Sequence, residues 1–414
     1  MKLKIIFALC IGLLLVGCQT PHGKHFAWRD PVIMDEQAPP PVRAAMLLPL
    51  SGKSASVGEA FRNSGMIALQ EQSDSPLELM FFDTKGTPEG TVAAWQEARV
   101  QRPNLIIGPI FSAELEALKD ESPSVPILSF TTDNTLMESG VYTLGVLIPD
   151  QVNRLVSHMC SAGQKKLAVL GPEDKTGELT MNVLSEAVQA CPDMVLHKVS
   201  LYEPETTDFS PAVLKIVPKP VDSRKKNLTD EEKEILATPI EERIDFDALF
   251  IFEDGVKLQQ LISLLAYYDV TPKVAPFYGL ANWQSVADNG LVGGYFAAPP
   301  FNKADIFTTR YQNVFDQKPP RLSALAYDAV SLIAVLAKHQ ALTTSNLLKD
   351  EGFNGVNGRF RLRPDGTNER LLEVFQIQPR RRWTSVDPAP DSFDTPIYVD
   401  VPPAEFDYSE PEVF

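Results

Sequence analysis

From Val42 onward the chain alternates short apolar runs with segments whose apolar residues recur every three or four positions. Val42–Leu48 is a continuous apolar run of strand length. In Val57–Gln70, Val57, Phe61, Ala68 and Leu69 fall on one helical face. Leu77–Phe82 predicts a second strand. Thr87-Pro88 is a cap followed by proline at the first turn, and it predicts a helix over Glu89–Gln101. Leu105–Ile107 predicts a strand, Ala113–Lys119 a helix and Val125–Phe130 a strand. Uninterrupted apolar strands alternating with amphipathic helices imply parallel sheets covered on both faces.

The alternation resumes further along. Arg154–Ala162 and Glu178–Ala190 read as helices flanking a strand at Lys166–Leu170. Val195–Leu201 and Ala248–Phe252 read as strands, Val256–Tyr267 as a helix and Val274–Tyr278 as a strand. A long helix, Ser323–His339, and a closing β pair around Gly358–Leu362 and Leu371–Gln376 complete the series. Two α/β units fit this length better than one very large sheet.

Two segments break the pattern. Residues 218–245 are highly charged, with a capping box at Thr229 and Glu232 ahead of Glu234-Ile235-Leu236. They read as an inserted excursion holding one short helix. Residues 384–414 hold eight acidic residues, six prolines and no Lys or Arg, and read as an acidic tail, disordered or loosely wrapped. The tail aromatics Phe393, Tyr398, Phe406, Tyr408 and Phe414 leave two readings open: a solvated tail, or anchors for a basic groove.

At the other end, Lys2 and Lys4 head an apolar stretch from Leu3 to Val16. A positive start, a short apolar core and small residues before a cut site make a secretory signal. The stretch is too short to span a bilayer as a permanent helix. It closes in Leu15-Val16-Gly17-Cys18, which resembles the lipobox of bacterial lipoproteins. That resemblance implies that residues 1–17 are removed and that Cys18 carries the lipid. Gln19, in place of an Asp, resembles outer-membrane sorting in enteric bacteria. The expected location is the periplasm, lipid-anchored to the outer membrane. Residues 18–41 would then be the lipidated cysteine and a tether, with five prolines in 19–41. The tether reaches about 25–30 Å as a coil and about 75 Å fully extended.

A net charge of −16 argues against nucleic acid and against charge-driven binding to anionic lipid. Of the four cysteines, Cys10 leaves with the signal and Cys18 is lipidated. Cys160 and Cys191 remain, each near the end of a predicted helix beside one strand. In an oxidising compartment they form a disulfide, or they stay as two buried thiols.

Common enzyme signatures are missing: the sequence has no G-x-S-x-G, H-E-x-x-H, Walker A loop, G-x-G-x-x-G or C-x-x-C. His22-x-x-His25 lies in the tether without a scaffold for a metal. No catalytic residue, cofactor or metal is expected. What remains is a set of small polar residues at strand ends. The first strand runs into Ser51 and Gly52, the third into Gly108-Pro109 with Ser112 opening the next helix. The fourth ends Ser129-Phe130-Thr131-Thr132-Asp133. Carboxyl ends of strands in open α/β sheets form the ligand crevice, and helix N-termini there suit a carboxylate or phosphate. The same residues also serve as ordinary caps and turns.

Five segments in order, AMLLPLSGKSASVGEAFRNSGMIAL, FFDTKGTPEGTVAAWQEA, LIIGPIFSAELEAL, VPILSFTTD and LSALAYDAVSLIAVLA, together resemble the type I periplasmic binding protein superfamily, of the leucine/isoleucine/valine-binding type. The resemblance covers about 42–383. It implies an α/β fold of two Rossmann-like lobes with parallel sheets around a hinged cleft, the chain crossing between lobes three times. Lobe one would be 42–147 plus 284–350, and lobe two 148–283 plus 351–383. The resemblance also implies that Ser112 and Ser129–Thr132 grip an amino acid's carboxylate and ammonium. Glu253 and Asp254 end a later strand, where solute binders place an acid for the ammonium; a surface turn is the other reading. One departure is Lys175-Thr176-Gly177, where amino-acid binders usually offer a Tyr-Gly pair.

Within the superfamily, GVNGRFRLRPDGTNERLLEVFQI, the lipobox and the insert look more like the penicillin-binding protein activator lipoproteins (LpoA type). These act without catalysis, by docking on a peptidoglycan synthase. Here a departure is the short tether, where enteric activators carry an added helical-repeat domain. The leading expectation from sequence is therefore an activator of a penicillin-binding protein. The alternative is a substrate-binding lipoprotein of an ABC transporter for a branched-chain or polar amino acid.

Overall fold

In the computed structural model the described residues are 40–393 without 219, 220, 222–224 and 287, and residues 302–304 are described by backbone alone. The expected signal, Cys18, nearly all of the expected tether and the tail beyond Phe393 lie outside them.

The first sheet grows around β1 (Val42–Leu48), whose Ala44 to Leu48 are wholly buried because both of its faces are covered. Helix α1 (Ala55–Glu71) leads to β2 (Leu77–Asp83), and α2 (Pro88–Ala98) to β3 (Leu105–Ile107). Thr87 caps α2 by accepting from Gly90 N at 3.0 Å. Helix α3 (Ser112–Asp120), β4 (Ile127–Ser129) and β5 (Val141–Thr143) complete a parallel sheet in the order β2-β1-β3-β4-β5. Met46, Leu48 and Phe61 share a core on one face, and Leu47, Trp95 and Leu115 share one on the other.

The chain then crosses into α4 (Ile148–Ser161), β6 (Lys166–Pro172), α5 (Lys175–Ala190) and β7 (Val195–Tyr202). Next come α6 (Ser210–Ile216), α7 (Asp230–Ala237), α8 (Ile240–Arg243), β8 (Ala248–Ile251), α9 (Gly255–Tyr267), β9 (Phe277–Gly279) and β10 (Tyr295–Ala298). It returns as α10 (Phe301–Phe315), α11 (Ala324–Lys338) and α12 (Thr344–Leu347), and α11 packs against α1. The last strands are β11 (Phe353–Gly355), β12 (Gly358–Leu362), β13 (Asn368–Arg370), β14 (Glu373–Gln378) and β15 (Arg382–Asp387). The second large sheet has the order β15-β14-β10-β9-β8-β6-β7, parallel except for β14, which runs antiparallel to both of its neighbours. The fold is thus α/β, with two lobes built on two parallel sheets.

Several boundaries differ from the sequence reading. β10 lies within 284–350 but pairs with β9 and β14 in the second lobe's sheet. β11–β13 lie within 351–383 but form their own three-stranded sheet, whose Phe360 and Leu362 join the first lobe's core. The strands expected to close as a pair, β12 and β14, sit in different sheets, because β13 takes β12 as its partner. The expected tail begins inside β15, which pairs with β14. Among its described residues the charged insert holds two short helices, α7 and α8. Thr229 and Glu232 do form the box: Thr229 Oγ1 accepts from Glu232 N at 3.1 Å, and Glu232 accepts from Thr229 N at 2.8 Å.

Buried polar bonds hold the waist between the lobes. Asn368 Nδ2 donates to the carbonyls of Thr143 (3.0 Å) and Gly145 (2.7 Å). The Arg370 guanidinium donates to Leu144 O (3.0 Å) and Asn357 O (2.6 Å), and the Arg370 backbone N donates to Asp150 at 3.1 Å. Arg370 and Asp328 are fully buried 3.9 Å apart. Burial pushes the Asp150 carboxyl up to about 8, with nearby Glu369 adding to the rise and Arg370 opposing it. In the second lobe, Cys160 at the end of α4 and Cys191 after α5 are joined by a disulfide with a Cα–Cα distance of 6.0 Å.

Candidate functional site

Residues at the carboxyl edge of the first sheet are fixed by short polar links. Asp83, ending β2, accepts from the backbone N of Leu50 (2.9 Å), Ser51 (3.1 Å) and Lys85 (2.8 Å). Burial opposes ionisation of Asp83. The Ser51 hydroxyl and these amides outweigh it and hold the carboxyl below its ordinary range. Ser51 and Gly52 are exposed on the turn so pinned. Gly52 has φ +80°, and a Cβ there would lie 2.9 Å from Lys85 O. They join the site edge through Asp83.

The next two loops form one connected unit. Gly108 passes so close to β1 that a Cβ would meet Leu47 O at 2.4 Å. The Ser129 hydroxyl donates to Pro109 O at 3.1 Å and is wholly buried, so it braces the loop from behind. Ser112 Oγ, opening α3, lies 2.8 Å from Thr131 Oγ1, and Thr131 Oγ1 accepts from Asp133 N at 3.2 Å. Thr143 donates to Thr131 O from the neighbouring strand at 2.5 Å. Thr131 is 4% exposed, Ser112 is half-buried and Thr132 is exposed. Of the sequence candidates, then, Ser112, Ser129 and Thr131 come together, with Thr132 adjacent at the surface.

Glu114 was not singled out from sequence. It is buried two residues past Ser112 and accepts from Thr84 Oγ1 (2.5 Å) and Phe111 N (3.2 Å). Burial pushes its carboxyl up, against these hydrogen bonds. A glutamate three residues after the residue that caps a helix, here Phe111, is the signal that would have found it.

On the second lobe, Glu253 follows β8. It accepts from Tyr202 Oη at 2.7 Å and from Asp254 N at 3.0 Å, while Trp283 Nε1 donates to its carbonyl at 3.1 Å. Burial and the Glu253 carboxylate push the Tyr202 phenol well above its ordinary value. Asp254 is exposed and accepts from Asn282 Nδ2 at 3.0 Å. Lys175-Thr176-Gly177 is the first turn of α5, capped by Asp174, which accepts from Gly177 N at 2.8 Å. A Cβ at Gly177 would lie 2.0 Å from Pro172 O, so this turn packs tightly on the end of β6. Hydroxyls and α3 amides thus line one sheet edge, and carboxylates line the other. Among the described contacts, none joins Glu253 to Ser112 or Thr131.

One cavity, of about 510 Å³, runs along α9 beside Val256, Gln260 and Tyr267, and another, of about 270 Å³, is lined by Gln284, Arg380, Arg381 and Trp383. Neither is lined by the strand-end residues. Among the described residues, no group of three His, Cys, Asp or Glu is placed to hold a metal, and no helix is long and apolar enough to cross a membrane.

This architecture is a two-lobed α/β fold built on two largely parallel sheets. A family model described as periplasmic binding protein matches residues 41–382, and the chain belongs to that family. Its fold is similar to that of a putative branched-chain amino acid ABC transporter protein from Rhodospirillum rubrum. The TM-score is 0.66 at 14% identity, covering 83% of this chain and 99% of the other. It is also similar to an ABC transporter substrate-binding protein from Sphaerobacter thermophilus (TM-score 0.62, 16% identity, 86% and 100% covered). The leucine binding protein LivK from Thermotoga maritima is a third (TM-score 0.54, 16% identity, 83% and 97% covered). At these identities the likeness shows the fold. None of the three is described as a synthase activator. No curated protein matches the chain.

Proposed function

We propose that the chain is the substrate-binding component of an ABC transporter, and that it holds a small zwitterion, a branched-chain or polar amino acid, between its lobes. The observation that carries this reading is the Ser112–Thr131 hydroxyl pair at one sheet edge, with Glu253 at the carboxyl edge of the other. The hydroxyls and the first amides of α3 suit the ligand's carboxylate. Glu253, oriented by Tyr202, suits its ammonium. The fold likeness to transporter receptors supports the same reading. Cys18, lipidated, would tether the protein in the periplasm, at the outer membrane.

A thermal-shift panel of amino acids tests this. Ligand at a hundredfold its Kd stabilises the folded state by about 2.7 kcal/mol, a plain shift in Tm. A flat panel would remove the reading.

A second reading, docking on a peptidoglycan synthase as an activator, rests on a different observation. Helix α7 in the charged insert buries none of its residues and leaves Leu236 40% exposed. Crosslinking to periplasmic penicillin-binding proteins tests it, and a blank result with each of them sets it aside.

A further inference from the structure

The β14–β15 hairpin turns through Pro379, Arg380 and Arg381, and both arginines are left-handed, at φ +64° and +57°. Gly and Asn fill such positions with less strain than a long side chain does. Strain held at a pair of exposed residues points to a use for their side chains.

Those side chains line the cavity of about 270 Å³, together with Gln284 and Trp383. Beside it the Arg321 guanidinium lies 4.4 Å from the centre of the Phe301 ring and 5.2 Å from that of Trp383, and donates to Gln284 Oε1 at 2.9 Å. Three arginines therefore gather at one aromatic-walled groove in a chain of net charge −16. Acids are also near: Asp305 acts on Arg321, and Asp288, in the lining, accepts from Gly290 N at 2.8 Å.

Residues 394–414 have the complementary chemistry: six acidic residues, four aromatics and no Lys or Arg. The residues leading into them already sit on arginines. Arg359 donates to Asp391 O at 2.5 Å, and the Arg361 guanidinium lies 4.5 Å from the centre of the Phe393 ring. Phe393 is at most about 40 Å of chain from Arg381, and residues 394–414 reach roughly 70 Å when extended. We propose that residues 394–414 dock in the groove of Arg321, Arg380, Arg381 and Trp383, as an acidic aromatic peptide bound in cis.

The test places a benzoylphenylalanine photo-crosslinker at Phe406 of the full chain. Crosslinks within one chain to 284–292, 321 or 377–383, weakened by salt, are expected. The double variant Arg380→Asn/Arg381→Gly should lower their yield about tenfold or more while its Tm stays level or rises, because the new residues suit the turn. Should that variant fail to fold, Arg321→Gln leaves the turn intact and should lower the yield too. Crosslinks elsewhere, crosslinks only between copies, no crosslinks, or a yield unchanged in the variants would each overturn the proposal. The groove is not lined by the strand-end residues, so the outcome is independent of what the cleft binds.

Discussion

Ser112 Oγ lies 2.8 Å from Thr131 Oγ1, joining the first turn of α3 to the loop that follows β4. The two hydroxyls are unequal partners. Thr131 is nearly sealed and also accepts from Asp133 N, whereas Ser112 retains access to solvent. Thr131→Val should therefore cost about 1–3 kcal/mol of stability, because Asp133 N loses a buried acceptor and Ser112 Oγ loses its partner. Ser112→Ala should cost less than about 1 kcal/mol. Urea unfolding of both variants gives the comparison, and equal losses would contradict the asymmetry.

The disulfide closes a sequence separation of 31 residues. Loop closure of that length predicts that Cys160→Ser/Cys191→Ser loses roughly 3–4 kcal/mol. Reducing agent should lower the Tm of the parent and leave the double variant unmoved.

Asp150 gives the waist a pH dependence. Its folded pKa, about 8, lies above the unfolded value near 3.9, so the folded state binds the extra proton between them. Its contribution is fully present below about pH 4 and is lost as pH rises through 8. Asp150→Asn keeps an acceptor for Arg370 N and removes the titration. The stability of the parent relative to this variant should fall from pH 5 to pH 8.5 in parallel unfolding curves. A constant difference would show that Asp150 does not titrate there.

Backbone strain at Arg380 and Arg381 predicts a gain without any new contact. Arg380→Asn/Arg381→Gly should stabilise the chain by about 1 kcal/mol, since each left-handed arginine carries strain that the replacements relieve. A loss of stability in calorimetry would mean that the arginines hold the hairpin through their side chains.

Much of the fold was legible because its central strands are unbroken apolar runs. β1 and β8 are buried on both faces and show as continuous apolar runs. The misreadings have local causes. β10 is four residues, Tyr295–Ala298, and nothing in so short a run says which sheet it joins. α10 buries Phe307 and Tyr311 on a narrow stripe amid polar residues, too little for a helical period to stand out. β12 and β14 each look like one arm of a hairpin, and only the packing of Phe360 into the first lobe separates them. That Ser112 and Thr131 lie at neighbouring strand ends was legible from the order of those ends. Glu114 carries the local signal of a capping glutamate, three residues after Phe111, but its bond to Thr84, thirty positions earlier, has no local signal.

The most direct measurement is a calorimetric titration of the full chain, Ser112→Ala and Glu253→Gln with the amino acid that shifts Tm most. The account predicts saturable one-to-one binding to the parent, weakened about fivefold or more in Ser112→Ala and further in Glu253→Gln, where a charge-assisted bond is lost. Flat heats for the parent, or one affinity shared by all three proteins, would contradict a ligand held between the hydroxyls of one lobe and the carboxylate of the other.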